Sequence, residues 1–493
     1  MLEHDGTGRD LLARHRWIAA AIAAAPFCVL WVTVFLTQRI PWRVHYDQSL
    51  YHEPAIRAFM SQWPEINLYD YLSATTPGYH LILAAVGGVF GDSMDTMRLA
   101  SGVIALAFVG LLGAALSSRV KPIVAGVLVW PLACSIYVVQ SGVYLLPDNL
   151  GWLGVCGMVV MALRTSPGIP CVMFMGLWLI FVVMARQLHA WTFGLVLVAA
   201  WMSRIRSNES YIGPALIQHF GSRLIGIIVA IIMIIPAMLL LYGFVRMWDG
   251  PVPPRFATQY SGGLNGASTA FLLSLIAVFG VFHFPVFMPT LATLWRTSRR
   301  SIWISAISGS AAATITPTMY DYPAGRRSGL WNIAAKLPNI GHSSVLIVAL
   351  STVGAVVFLA LLKPLRARDR IVMCATFAGF CIASAAGVEL WQRYTEPFIL
   401  MFTALLVGMN MQREHEREGS YPGGSRTLIS LIGSVTIAVG FAGMNIISPF
   451  TSNSVRVGDP APPPKSDDDT SPVPAPVDVV PPPPPHGTLP WMR

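Results

Sequence analysis

Leu224 to Arg246 reads LIGIIVAIIMIIPAMLLLYGFVR, 23 residues in which the only charge is the last letter. As a helix this run is about 35 Å long, more than the ~30 Å of a bilayer's hydrocarbon layer. Runs of the same kind recur on both sides of it, at 17–37, 95–116, 122–140, 149–164, 168–186, 188–203, 268–292, 301–317, 344–362, 371–388, 397–411 and 427–448, thirteen in all. One more, Pro77 to Phe90, has 14 residues and a glycine pair, too short to cross, and reads as re-entrant or interfacial. Of the 493 residues 54% are hydrophobic and 12% are charged, about half the charge density of a soluble chain. The expected fold is therefore all-α, a polytopic membrane bundle of about 13 transmembrane helices over residues 1–450.

Several function classes lose their footing at once. The six cysteines (Cys28, Cys134, Cys156, Cys171, Cys374, Cys381) all stand inside apolar runs, with no CxxC pair and no histidine cluster beside them. No phosphate-binding loop, dinucleotide glycine fingerprint or HExxH helix is present, so no cofactor is expected. The net charge of +9 matters in such a chain through the membrane face each charge occupies, and nucleic-acid binding is not expected. The first apolar run, from Trp17, lacks a small-residue cleavage site and reads as a retained anchor.

With the N-terminus inside, 19 of the 33 basic residues fall on inner segments and 14 on outer ones. Three of the outer 14 (Arg456, Lys465, Arg493) lie in the tail, where the positive-inside rule has little force. That tail, 451–493, is rich in Pro, Asp and Ser and is expected to be disordered, outside the membrane, as a solvated terminus or a wall spacer. The sequon Asn208-Glu209-Ser210 falls inside.

The first outer loop, residues 38–76, is far longer than the links usual between packed helices. Within it Ile56, Phe59, Met60 and Trp63 recur at helical spacing behind Pro54, which describes an amphipathic helix in the interface, its stripe touching lipid or core. Upstream, in VHYDQSLYHEP, Asp47 stands at the outer boundary, where it caps this helix or joins a polar site. Asp148 in YLLPDNLGW, Arg186 and Gln187 in VMARQLHAW, Arg326 and Arg327 in DYPAGRRSGLW, and Glu389 and Arg393 in GVELWQRYTEPF map to the same side. An ionisable residue in apolar surroundings costs roughly 2.5–3.5 kcal/mol on insertion scales unless it is paired or hydrated. Two readings follow: structural ion pairs, such as Asp148 with Arg186, or a site.

Carboxylates beside arginines at a lipid boundary suit transfer from a lipid-linked phosphate. A carboxylate takes the proton of an acceptor hydroxyl, and guanidinium forks hold the departing phosphate. The activated donor then arrives through the bilayer, and no nucleotide site is needed.

Four stretches in order, Asp47-Gln48 with Tyr51-His52-Glu53-Pro54, Thr75-Thr76-Pro77-Gly78-Tyr79, Arg186-Gln187-Leu188-His189-Ala190-Trp191 and Glu389 to Tyr394, resemble a known family. With Asp148 and the thirteen-span layout they look like the GT-C superfamily of polyprenyl-phosphate-sugar-dependent glycosyltransferases, nearest the dolichyl-phosphate-glucose alpha-1,2-glucosyltransferases. Against that signature, Gln48 replaces an acidic residue, one residue is inserted before His52, and the Gly-Asp-Lys-Ser loop has no counterpart in MWDGPVPPRFATQY. Asp148-Asn149 is similar to a metal-binding Asp-Asn-Glu element of oligosaccharyltransferases, but Leu150 takes the third place, so no metal is expected.

The resemblance implies a GT-C-like bundle and transfer of a hexose, with inversion, from a polyprenyl-phosphate sugar to a glycan or lipid-linked acceptor. Asp47 would be the general base. Arg186, Gln187 and Arg393 would contact the lipid phosphate, and Asp148, Thr76, Tyr79, His52 and Glu389 complete the candidate binding set. Tyr79, Trp191 and Trp391 are candidates for stacking on sugar, or belong to an interfacial aromatic belt. His52 has a satisfied polar role as its alternative, His189 is open, and Arg326 and Arg327 are phosphate ligands or plain loop charges. The 29 Arg against 4 Lys point to a GC-rich bacterial genome, hence a bacterial cytoplasmic membrane with the site on its outer face, or the endoplasmic reticulum in a eukaryote. The rival from another class is a transporter or flippase for a lipid-linked saccharide, which calls for ionisable groups near mid-membrane.

Overall fold

The computed structural model describes residues 6–164, 167–202, 220–260, 263–387, 389–418, 424–451 and 454–459. Arg204, Arg206, the sequon and the tail from residue 460 lie outside them. The chain opens with helix α1 (Gly6–Thr37), then α2 (Trp42–Asp47), α3 (Glu53–Gln62), α4 (Gly78–Phe90), α5 (Met94–Leu116), α6 (Pro122–Cys134) and α7 (Ile136–Val143). Next come α8 (Asp148–Ala162), α9 (Ile169–Ala185), α10 (Phe193–Trp201), α11 (Phe220–Trp248), α12 (Ser268–Gly280), α13 (Phe284–Thr297) and α14 (Arg299–Thr314). The short α15 (Leu330–Ala334) precedes α16 (Val345–Leu362), α17 (Ala367–Ala385), α18 (Glu396–Glu418) and α19 (Gly424–Ile447).

Each of the thirteen expected segments falls on helix, and the chain is a multi-pass membrane protein. Among the described residues six spans are long and apolar enough to cross, and a seventh counts if α6 and α7, bent by 73°, are one span. The others fall short for visible reasons. Pro147 sets the start of α8, which has 15 residues, Arg186 stops α9, and α17 opens on Arg368, Asp369 and Arg370. At the bend, Ser135 leaves the helical region (φ −53°, ψ 133°) and gives its hydroxyl to Glu396 (2.7 Å).

The loop that follows α1 is built as a scaffold. After α1, residues Arg39–Pro41 pair antiparallel with Ser454–Arg456, which extends the ordered chain past the expected start of the tail. The pairing is backed by Val455 and Val457, packed against the main core. Helix then runs from Trp42 to Gln62, interrupted by a π-turn at Gln48–His52. A π-turn accommodates one extra residue in a helix. The amphipathic helix is α3, with Pro54 in its first turn; Ile56 and Phe59 bury against α4 in a small second core, while Trp63 is exposed.

At 13 residues α4 is about 20 Å long, too short to cross. A Cβ at Gly78 would fall 2.5 Å from the carbonyl oxygen of Met184, so only glycine lets the start of α4 lie against the end of α9. That contact brings the first loop to Arg186.

Candidate active site

Four charged residues from four elements meet at one end of the bundle. Asp47 is the last residue of α2, Asp148 the first of α8, Arg186 follows α9 in extended backbone (φ −166°, ψ 118°), and Arg393 sits in a 3-10 turn before α18. Arg393 donates from Nη1 to Asp47 Oδ2 (2.6 Å) and from Nε to Asp148 Oδ2 (2.8 Å). Arg186 donates from Nη1 to Asp148 Oδ1. The Tyr394 ring lies beneath both guanidiniums, 4.3 Å from that of Arg186 and 5.7 Å from that of Arg393. Asp47 makes no helix-capping bond; its partner is Arg393.

Access to the four is unequal. The Asp148 side chain is 5% exposed and has both oxygens committed, whereas Asp47 is 35% exposed and engages a protein partner, among the described residues, through Oδ2 alone. Burial opposes the charge on Arg393, but the carboxylates of Asp148 and Asp47 more than offset it and hold its pKa well above the ordinary value. Both arginines are therefore fixed cations whose remaining N–H groups are free for an anion among the described residues.

A second pair borders the first. Arg327 lies 3.6 Å from Glu389, its guanidinium between the rings of Tyr322 (3.7 Å) and Trp391 (4.3 Å). Burial raises the Glu389 pKa, Arg327 draws it back, and Asp47 is near enough to push it up again. Arg326, by contrast, spends its guanidinium on Met319 O, Pro317 O and Asp321 within its own loop.

The rest of the expected set supports these groups from behind. Gln187 accepts from the Thr76 N–H (2.9 Å) and donates to the carbonyls of Ala74 (2.8 Å) and Pro251 (3.1 Å), while the Thr76 hydroxyl donates to Val183 O (2.6 Å). The Tyr79 hydroxyl bonds Ser101 (3.0 Å), and the His52 and His80 rings share one hydrogen bond (3.0 Å), all buried. His189 lies against Trp152 at 4.6 Å, and Trp191 packs on Phe380 and Phe398 inside the bundle. Trp391 lies over Arg327 at the site, but Trp191 and Tyr79 do not line it.

Sequence reasoning passed over three groups. Tyr260, whose hydroxyl burial holds neutral, lies within electrostatic reach of Tyr394, Glu389, Arg186 and Asp47. Gln392 accepts from the Leu330 N–H (2.6 Å) and donates to Glu396 (2.6 Å), fixing the turn that carries Arg393. Glu396 stands at the mouth of an apolar run, where a carboxylate is itself a signal. Among the described residues no three His, Cys, Asp or Glu form a group that could hold a metal ion.

A different set of charges lies at the opposite end, where Arg119 meets Asp369 (3.1 Å), Gln412 (3.1 Å) and Leu163 O (2.9 Å). Fold and site together define a multi-pass helical membrane protein with an anion-receptive arginine and carboxylate cluster at one end. No family model and no curated protein matches the chain. Two solved structures are similar at 15% identity, over 79% of this chain and 78% of theirs: ArnT from Cupriavidus metallidurans bound to undecaprenyl phosphate (TM-score 0.34) and the same protein in the apo state (TM-score 0.28).

Proposed function

We propose that this chain is a GT-C-type integral-membrane glycosyltransferase that moves a sugar, a hexose on the family resemblance, from a polyprenyl-phosphate donor to an acceptor hydroxyl at the outer face of a bacterial cytoplasmic membrane. The observation that carries this reading is the alternating chain Asp47, Arg393, Asp148, Arg186, open to solvent at its Asp47 end.

The acceptor hydroxyl donates to the free oxygen of Asp47. Its oxygen attacks the anomeric carbon from the side opposite the phosphate, Asp47 takes the proton, and the carbon–oxygen bond to phosphate breaks with its electron pair leaving on the polyprenyl phosphate. The sugar is inverted. Arg186 and the spare N–H of Arg393 meet the charge that develops on the leaving oxygen, and Asp148 keeps both guanidiniums aimed there beforehand, so little reorganisation is needed at the moment of reaction. Gln187 and Thr76 hold the first loop against Arg186, and Glu389 accepts from sugar hydroxyls. An apolar groove of about 480 Å³ between α10 and α11, lined by Phe193, Leu197, Ile231, Ile235, Met238 and Tyr242, starts just after the Arg186 turn and suits the isoprenoid tail.

Buried charged residues, among those described, stand in loops or within two turns of a helix end, which favours this reading over a transporter with ionisable groups at the midplane. The test is release of polyprenyl phosphate from polyprenyl-phosphate sugars by purified protein. Asp47→Asn should lower the rate by about 10² to 10⁴, the usual contribution of a positioned base. Unchanged release in that variant removes the base; flip-flop of the intact donor in vesicles, without cleavage, replaces the enzyme with a flippase.

A further inference from the structure

Beside Asp47 runs a line of aromatic rings that the reaction above does not use. Trp42 and Tyr46 are stacked at 5.6 Å with 29° between their planes, Tyr46 meets Tyr51 edge-on at 6.1 Å, and Tyr51 meets Phe256 at 5.5 Å. Helical period puts residues 42 and 46 on one face, and continued α-helix would bring Ser49 and Leu50 round next. The π-turn Gln48–His52 changes the period, so that Tyr51 extends the row instead.

These rings are not placed as a lipid-facing belt. Trp42, Tyr46 and Tyr51 are half-buried, while Trp295 and Trp303 are exposed to 48% and 59%. The far rung, Phe256, is buried in a segment pinned to the first loop by Arg255, which donates to both carboxylate oxygens of Asp70 (3.1 and 3.0 Å). The surroundings are polar: Arg43 is exposed, Ser49 is half-buried, Gln259 bonds Glu389, and the charge of Asp47 reaches Tyr51. A flat apolar face rimmed by hydrogen-bonding groups matches a sugar ring, which has C–H bonds on its faces and hydroxyls round its edge.

We propose that Trp42, Tyr46 and Tyr51 form the acceptor subsite and that the acceptor is a carbohydrate, stacked on this row so that one hydroxyl reaches Asp47. The proposal rests on the glycosyltransferase reading for its use, but not for its test. Full-length protein in lipid nanodiscs is titrated by calorimetry with soluble gluco-, galacto-, manno- and arabino-oligosaccharides, with no donor present. At least one should bind the wild type. Trp42→Leu, Tyr46→Leu and Tyr51→Leu, which keep apolar volume and lose the flat face, should each weaken it about three- to tenfold, the range expected for one aromatic contact. Tyr46→Phe and Tyr51→Phe should bind nearly as the wild type does, which guards against a folding artefact.

Failure of every oligosaccharide to bind the wild type overturns the proposal, as does undiminished binding in the three leucine variants. Binding that follows the predicted order in a protein that releases no polyprenyl phosphate from any donor upholds the subsite and refutes the donor reading alone.

Discussion

Replacing Asp148 by Asn tests whether the site's buried carboxylate is a clamp. Its two oxygens accept from two guanidiniums, Oδ2 from Arg393 and Oδ1 from Arg186, in a position where 5% of the side chain meets solvent. The amide keeps one acceptor and turns an NH₂ toward the other guanidinium, leaving a donor facing a donor and a buried cation without its counter-ion. Removing one partner of a buried ion pair costs about 3–5 kcal/mol. Arg393 keeps Asp47 at 2.6 Å, which places the expected loss near the lower bound, about 3 kcal/mol. Denaturant-induced unfolding of the purified protein, followed by thiol-reactive dye on its free cysteines, reads this directly. Asp47→Asn, at the more exposed end, should lose about 1 kcal/mol or less by the same assay. An Asp148→Asn protein as stable as the wild type but inactive would refute the clamp and make Asp148 a participant in the chemistry.

Three further outcomes are expected. Gly329 has φ +53°, and a Cβ there would lie 2.0 Å from Gln392 Oε1, so Gly329→Ala should shift the turn bearing Arg393 and lower polyprenyl phosphate release at least about tenfold; full activity would release that turn from its role. Burial, with His80 and Arg393 nearby, sets the His52 pKa well below 6.5. The unfolded chain therefore binds the proton first, stability is whole above about pH 6.5 and falls as pH drops below it, and His52→Gln should flatten that slope in a pH series of thermal midpoints. Deleting residues 460–493 should leave release unchanged, whereas deleting 452–493 removes the strand against Arg39–Pro41 and should lower it; equal activity in both would make the strand dispensable.

The helical, membrane-crossing character was legible because it lies in local composition: every long apolar run became helix. The site was legible by sidedness, since Asp47, Asp148, Arg186 and Arg393 all map to span ends or loops at the same boundary, and Arg186 breaks an apolar run there. Their pairing was not. Arg393 and Asp47 are 346 residues apart, and nothing local says that one guanidinium bridges two carboxylates. Arg326 and Arg327 are neighbours with the same side chain, yet one closes its own loop and the other faces Glu389, in a segment where Gly325, Ser328 and Gly329 all take positive φ. Thr76 and Gln187 entered the candidate set through the family resemblance; their partners in the structure are backbone groups brought close by Gly78.

The short antiparallel pairing of Ser454–Arg456 with Arg39–Pro41 has a topological corollary. It moors the end of the last span directly ahead of α2, so residue 459 lies on the compartment side that Asp47 faces. An epitope placed directly after residue 459 would thus report, by antibody access in intact cells against permeabilised ones, which compartment the chemistry occupies, without any need to assay it.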